Sequence, residues 1–430
     1  MAIRIETASI AEAEAGLRDH HDADLDHASE VVARSGASAH DVVAALRGFS
    51  VAAPSWALGT GSTRFGRFPI PGEPRTVEEK VDDVAALHAL TGANASISLH
   101  VPWDRPAEPV ALREHAASLG LRFDAMNSNT FQDNPSTTRE GAITYKYGSM
   151  SASSESVRAA AVEHNLEVIA LGDALGSTGL TVWLGDGTNH PGQADFRTQF
   201  DRVATCLRQV HDALPEEWTL YTEHKPFEPA FYSSVNADWG SSLLLAQAAG
   251  SRARCLVDLG HHLPNCNVEQ VVSRLAMTGR LGGFHFNDSK YGDDDLTVGS
   301  IQPYQLFLIM LELLLHGGGS LPDLAYMIDE SHNVKDPIED LIQATDQIQV
   351  SLAQALLVDR GALTEAQDAD DPVAAAEILQ RAYRTDVRPL VAEARRLGGA
   401  AMDPIRTFRR LGYRRAVAQE RGFNRVATGL

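Results

Sequence analysis

Between Gly48 and His332 the chain switches repeatedly between two hydrophobic rhythms. Short blocks dense in apolar, aromatic and β-branched residues read as buried strands, and longer stretches with apolar positions every three or four residues read as helices. The strand blocks are Gly48–Ala53, Ala95–Leu99, Leu121–Ala125, Leu180–Trp183, Trp218–Thr222, Ala253–Val257, Leu281–Phe286 and Leu324–Ile328. Among the helices, Thr76 and Glu79 form a capping box ahead of Val77, Val81, Val84 and Leu87. Others end at Leu119 before Gly120 and cover Ser156–Leu175. Phe196, Phe200, Val203, Leu207, Val210 and Leu214 step by four and three. Val268, Val271, Val272 and Leu275 mark a further helix, and Gln302–His316 is apolar nearly all round, so it should be buried on several sides. Repeated strand–helix units imply a parallel sheet with right-handed crossovers. Eight of them in about 290 residues suit a closed (β/α)8 TIM barrel of the α/β class. The alternative is an open doubly wound sheet. Gly59–Phe68 starts like its phosphate-binding fingerprint, but the third glycine is missing and no helix follows at once.

The flanks differ from this middle. Residues 1–45 read as an acidic N-terminal helical segment in which His20, His21 and His27 belong to a solvated face. The barrel is expected over residues 46–335. Beyond it, residues 336–430 form a helical extension. There Ile338, Leu341, Thr345, Ile348, Leu352 and Ala355 repeat as one sticky helix face. A polar break from Asp359 to Pro372 follows, then a helical tail rich in arginine (Arg395, Arg396, Arg406, Arg409, Arg410, Arg414, Arg415). The sticky face and the basic tail have no obvious partner in the barrel, so they are expected to pack on the acidic surface of a neighbouring subunit in a homo-oligomer.

Composition narrows the function. Among 430 residues, 44% are hydrophobic, enough for a sizeable core. The formal net charge of -20 argues against a nucleic-acid partner, which needs clustered Lys and Arg. Cys206, Cys255 and Cys266 are an odd set that fits free thiols in a reducing compartment. The N-terminus has no apolar signal core, and the most apolar run, Leu306–Leu315, is too short to span a bilayer. A cytoplasmic protein with no membrane partner is the expectation.

The polar residues collect where the strands end. Trp218–Thr222 is followed by Glu223, His224 and Lys225, and Pro226 stops further pairing. Alternation puts Glu223 and Lys225 on one side of the chain. The next strands end in Asp258 and His261, in His285 with Asp293 and Asp295 beyond it, and in Asp329. Each alone could be an N-cap aspartate or a core histidine. Together they are five carboxylates and two imidazoles on four consecutive strands, which a barrel would bring into a small volume. Packed anions repel and raise one another's pKa unless cations intervene. Divalent ions resolve this, and oxygen and imidazole donors without cysteine suit Mn²⁺, Co²⁺ or similar ions better than Zn²⁺ alone. Seven donors exceed one site, so two ions sharing a carboxylate are the economical reading. The first four strands end instead in Trp56, His100, Trp103, Phe131 and Trp183, which would form the opposite wall of the pocket, with apolar ring faces and His100 able to hydrogen-bond.

Glu223-His224-Lys225-Pro226-Phe227-Glu228-Pro229 resembles the Glu-x-Lys-Pro-x-Glu-Pro signature of xylose isomerase-like enzymes, and Asp293-Asp294-Asp295-Leu296 resembles their Asp-x-Asp-Leu metal loop. Asp258–Asn265, Thr181–Gly187 and Asp329–Asn333 are similar to bacterial L-rhamnose isomerases over roughly residues 45–335. The resemblance implies a metal-dependent aldose–ketose isomerase on a TIM barrel, usually tetrameric. It would interconvert L-rhamnose and L-rhamnulose and accept aldoses such as D-allose, giving D-psicose. By that likeness Glu223, Asp258, His285 and Asp329 would hold one ion, and Glu223, His261, Asp293 and Asp295 the second. Mn²⁺ is the first choice, with Co²⁺, Mg²⁺ or Zn²⁺ as alternatives. Catalysis would fall to Lys225, Glu223 and Asp329. Lys225 would oppose charge on the substrate carbonyl. Ser331 would bear on which sugar fits, and Phe65 would reach into a neighbour's pocket. Hydrogen would pass between C1 and C2 as hydride or as a proton through an enediol. A sugar epimerase, a metal phosphoesterase and a non-catalytic sugar-binding protein are the competing functions.

Overall fold

The apolar blocks pair side by side, all parallel, into a ring. The structure is a computed structural model that describes residues 3–59, 68–133, 143–227, 234–330 and 334–423. Its strands are β1 (Ala53–Pro54), β2 (Ser96–Ser98 and His100–Val101), β3 (Arg122–Phe123 and Met126–Asn129), β4 (Gly179–Trp183), β5 (Thr219–Glu223), β6 (Ala253–Asp258), β7 (Leu281–Phe286) and β8 (Ala325–Ile328). Each pairs with the next. The ring closes where Ala52 bridges Met327: the Ala52 N–H donates to Tyr326 O at 2.8 Å, and the Ile328 N–H to Ala52 O at 3.0 Å. Helices lie between successive strands, so this is the (β/α)8 barrel that the two rhythms predict.

Local chemistry starts and stops these helices as expected. Thr76 Oγ1 accepts from the Glu79 N–H at 3.3 Å, and Asp195, Asp238 and Asn267 cap their helices in the same way. The helix Glu155–Leu175 ends on Gly176 at φ 81°, a left-handed conformation that glycine adopts without strain. Three features depart from expectation. The third strand continues past a break to Asn129, carrying Asn127 and Asn129 inside the sheet. A helix, Trp239–Ala249, stands between β5 and β6, where consecutive Leu243, Leu244 and Leu245 blur the periodicity. The polar stretch after Asp359 is a helix, Arg360–Asp368, whose single buried residue is Leu363. No described helix is long and apolar enough to cross a membrane.

The sticky face and the basic tail, which have no obvious partner in sequence, find partners within the chain. On the helix Pro337–Leu356 the sticky residues Ile338, Leu341, Thr345, Ile348, Leu352 and Ala355 are at most 1% exposed, because the face packs within the chain. It lies against the helices Pro303–His316, Val77–Thr91, Ala39–Gly48 and Arg388–Leu397. The basic tail is paired in cis as well: Arg409 with Glu339 at 2.6 Å, Arg414 with Asp336 at 2.5 Å, and Arg395 with Asp346 at 2.7 Å. The N-terminal segment joins this layer, since Glu14 accepts from the Met402 and Asp403 N–H groups at 2.9 Å, and His21, expected on a solvated face, is instead buried 2.9 Å from Glu393. Truncating Leu341 to Ala should therefore cost about 2–5 kcal/mol of stability, through the cavity it leaves. Denaturant melts should show this loss independently of protein concentration. A variant with wild-type stability but altered association would place the face between subunits.

Candidate metal centre

Strand register sets the centre. Glu223 ends β5 opposite Leu256 of β6, and Asp258 at the end of β6 pairs with His285 of β7. The Asp329 N–H donates to Phe286 O at 2.8 Å just past the end of β8. Glu223, Asp258, His285 and Asp329 each present one donor atom, and those four atoms lie within 4.8 Å of one another. His285 Nδ1 is the hub, at 3.1 Å from Glu223 Oε1, 3.3 Å from Asp329 Oδ2 and 3.7 Å from Asp258 Oδ2.

The electrostatics identify what this hub needs. Burial works against a charged imidazole, yet the carboxylates of Glu223, Asp258 and Asp329 raise the pKa of His285 well above the ordinary histidine value. Burial likewise opposes charge on Glu223, and His285 and His261 hold its carboxyl well below the usual range. The point where three carboxylates meet favours positive charge, and a divalent cation meets that demand. The donor set of carboxylate oxygens and imidazole suits Mn²⁺, Co²⁺ or Mg²⁺. Asp258 is further aimed by the N–H groups of Gly260 at 2.8 Å and His261 at 3.1 Å, and by Asn287 Nδ2 at 3.0 Å.

A second group adjoins the first through Glu223. His261 Nδ1 stands 3.3 Å from Glu223 Oε1, and its Nε2 is 2.9 Å from Asp293 Oδ1. Asp293 Oδ2 accepts from Lys225 Nζ at 2.5 Å, and that ammonium also lies 4.8 Å from the centre of the Trp183 ring. Asp293 and Asp295 both hold left-handed backbone, at φ 54° and 48°, a conformation uncommon outside glycine. The loop is tied down by the Asp293 N–H bonding to Gly260 O at 2.9 Å and by mutual bonds between Asp288 and Leu296. Asp293 is buried and Asp295 half-buried.

The aromatic residues close the opposite side. His100 stacks on Trp103 with centroids 4.1 Å apart, Phe131 meets Trp183 at 4.3 Å, and Trp56 stands edge-on to His100 at 5.7 Å. Burial pushes the His100 imidazole down to about 3, so it is neutral near pH 7 and can donate or accept a hydrogen bond. Trp56 has a second role that its residue type does not announce: its Nε1–H donates to Asp329 Oδ1 at 2.8 Å, linking wall to cluster. Asn287, which orients Asp258, and Asn236, whose Nδ2 donates to Glu223 O at 2.9 Å, also escape sequence reasoning. Asn287 directly follows the strand that carries His285, which was its one visible signal. Phe65 and Ser331 lie outside the described residues.

A parallel eight-stranded barrel with a carboxylate–imidazole cluster at the strand C-termini is the class that fold and site define. The fold is similar to that of an L-ribulose 3-epimerase, with a TM-score of 0.52 at 17% identity over 71% of this chain and 95% of that one. In sequence the chain is 51% identical over 405 residues to a probable sugar isomerase of Mesorhizobium japonicum, covering 93% of each. It is 48% identical over 424 residues to a probable sugar isomerase of Rhizobium meliloti, covering 98% of this chain and 97% of that one. The chain belongs to this family of probable sugar isomerases. No family model matches it.

Neutralising the cluster should stabilise the fold. Mn²⁺ at about a thousand times its dissociation constant should add about 4 kcal/mol to the unfolding free energy of metal-free protein. His285→Asn should lose most of that gain. A denaturation midpoint indifferent to Mn²⁺ would contradict the metal assignment.

Proposed function

We propose that the protein is a divalent-metal-dependent aldose–ketose isomerase that interconverts L-rhamnose and L-rhamnulose and also takes related aldoses such as D-allose. The observation that carries this reading is the placement of Lys225. Its buried ammonium lies between Asp293, which bonds it, and the face of Trp183, in a group joined to the four-donor cluster through His261 and Glu223. Pure sugar binding does not require a cation held there, whereas a reaction that develops negative charge on a carbonyl oxygen does.

Glu223, Asp258, His285 and Asp329 would hold one ion, and Glu223, His261, Asp293 and Asp295 a second. The ions would polarise the carbonyl and lower the pKa of a sugar hydroxyl. The protein's own groups do the remainder. Lys225 opposes the charge that grows on the carbonyl oxygen as hydrogen leaves C2, and its bond to Asp293 keeps it aimed. Neutral His100 bonds a hydroxyl without introducing charge. Trp56, Trp103, Phe131 and Trp183 cover the C–H faces and exclude water, which strengthens each electrostatic contact inside. Working as a homotetramer belongs to the same reading and rests on the family resemblance.

Prolonged chelation should abolish conversion of L-rhamnose, and Mn²⁺ or Co²⁺ should restore it. Product analysis separates the rivals: a ketose from an aldose supports isomerisation, while a ketose inverted at C3 would replace this reading with an epimerase. Full turnover by metal-free protein would exclude the metal's role. Lys225→Met keeps the bulk of the stem and removes the charge. It should lower kcat about a hundredfold, or about 3 kcal/mol at the transition state, with Mn²⁺ content nearly unchanged. Near-normal kcat with full metal content would reduce Lys225 to a salt-bridge partner.

A further inference from the structure

Beneath the aromatic wall lies an ion pair that none of this chemistry uses. Lys80, on the helix Val77–Thr91, and Asp104, in the turn after β2, are 6% and 2% exposed, with Lys80 Nζ 2.5 Å from Asp104 Oδ1. The other carboxylate oxygen accepts from Ser55 Oγ at 2.5 Å and from the His100 N–H at 3.0 Å. The Asp104 N–H returns to His100 O at 2.8 Å. One carboxylate therefore joins three segments: the turn that follows β1, the helix after it, and the end of β2. Ser55, Asp104 and His100 all adjoin the wall, since Ser55 precedes Trp56, Asp104 follows Trp103, and His100 belongs to it. The Lys80 stem also runs beneath Gly59, where an added Cβ would stand 3.1 Å from Lys80 Cε and 2.8 Å from Pro74 O.

A buried ion pair is a weak source of stability, because desolvating two charges offsets most of their attraction and an apolar pair of similar volume does as well. What it supplies here is direction. Both carboxylate oxygens are used, so the turn carrying Trp56 and the strand end carrying His100 are fixed to one planar group. Trp56 passes that register on, through its bond to Asp329 Oδ1 at 2.8 Å and its edge contact with His100 at 5.7 Å. We infer that the Lys80–Asp104 pair is the positioning element of the pocket. Through Ser55 and Trp56 it orients Asp329 in the donor cluster, and through the His100 amide it sets the spacing of the wall. The part that concerns the wall rests on the isomerase reading; the part that concerns Asp329 does not.

Two variants test it. Ser55→Ala deletes one bond of the network and leaves the pair intact. The double variant Lys80→Met, Asp104→Leu replaces the pair by apolar groups and leaves no buried charge unpaired. Mn²⁺ affinity is measured by titrating metal-free protein, and KM and kcat on L-rhamnose at saturating Mn²⁺. The double variant should bind Mn²⁺ about tenfold more weakly, the scale expected when a partner that orients a ligand is lost. Its KM should rise by about tenfold while kcat stays within about threefold. Ser55→Ala should show a smaller loss of Mn²⁺ affinity in the same direction. A merely structural pair would lower the melting temperature and leave Mn²⁺ affinity and KM alone in both proteins, which overturns the inference. If the double variant does not fold, Ser55→Ala decides, and wild-type Mn²⁺ affinity there overturns it too. A wild-type protein that isomerises no aldose would defeat the isomerase reading alone, and the Mn²⁺ titrations would still settle the role at Asp329.

Discussion

Three carboxylates gathered around one buried imidazole set the terms for the rest of this molecule. Glu223, Asp258 and Asp329 approach His285 Nδ1 within 3.7 Å, with Glu223 and Asp258 buried and Asp329 half-buried. Anions crowded in a low-dielectric interior repel, and the arrangement persists only if positive charge is held among them. His285 and His261 face them, Lys225 pairs with the adjoining Asp293, and the same geometry is a ready set of donors for divalent ions. The supporting structure keeps those charges from relaxing apart: strand pairing fixes Glu223, Asp258 and His285, the Gly260 and His261 amides hold Asp258, and Asn287 bonds both of its oxygens.

The barrel divides this work between its halves. Strands β5 to β8 end in charged donors, while β1 to β4 end in aromatic rings and a neutral imidazole. An apolar wall facing an ionic one gives a pocket with an orienting surface and a reactive surface, and the wall raises the strength of every field across the gap. The two halves are mechanically joined at Trp56, whose ring belongs to the wall and whose N–H reaches Asp329.

Much of this was legible in the sequence because strand burial and helix periodicity are local signals. The ring and the strand ends that carry Glu223, Asp258, His285 and Asp329 follow from those alone. What escaped depends on long-range partners. Ile338 to Ala355 reads as a sticky face from sequence, but only the packed chain shows that the helix Pro303–His316, also apolar all round, takes up that face. Asp104 and Lys80 are 24 residues apart and look like ordinary surface charges until folding buries them against each other. Asn287 and Asn236 act through amide groups whose targets lie across strands or loops. The Arg360–Asp368 helix carries too little apolar surface to register as a period.

How many ions the strand ends hold, and where, is the decisive question for this site. Anomalous diffraction at the manganese edge, from crystals of the full chain equilibrated with Mn²⁺, measures both directly. Two peaks per chain are expected, one among Glu223, Asp258, His285 and Asp329 and one against His261 and Asp293, with Glu223 between them. No peak at this end of the barrel, or one peak alone wherever it lies, would contradict the two-ion reading.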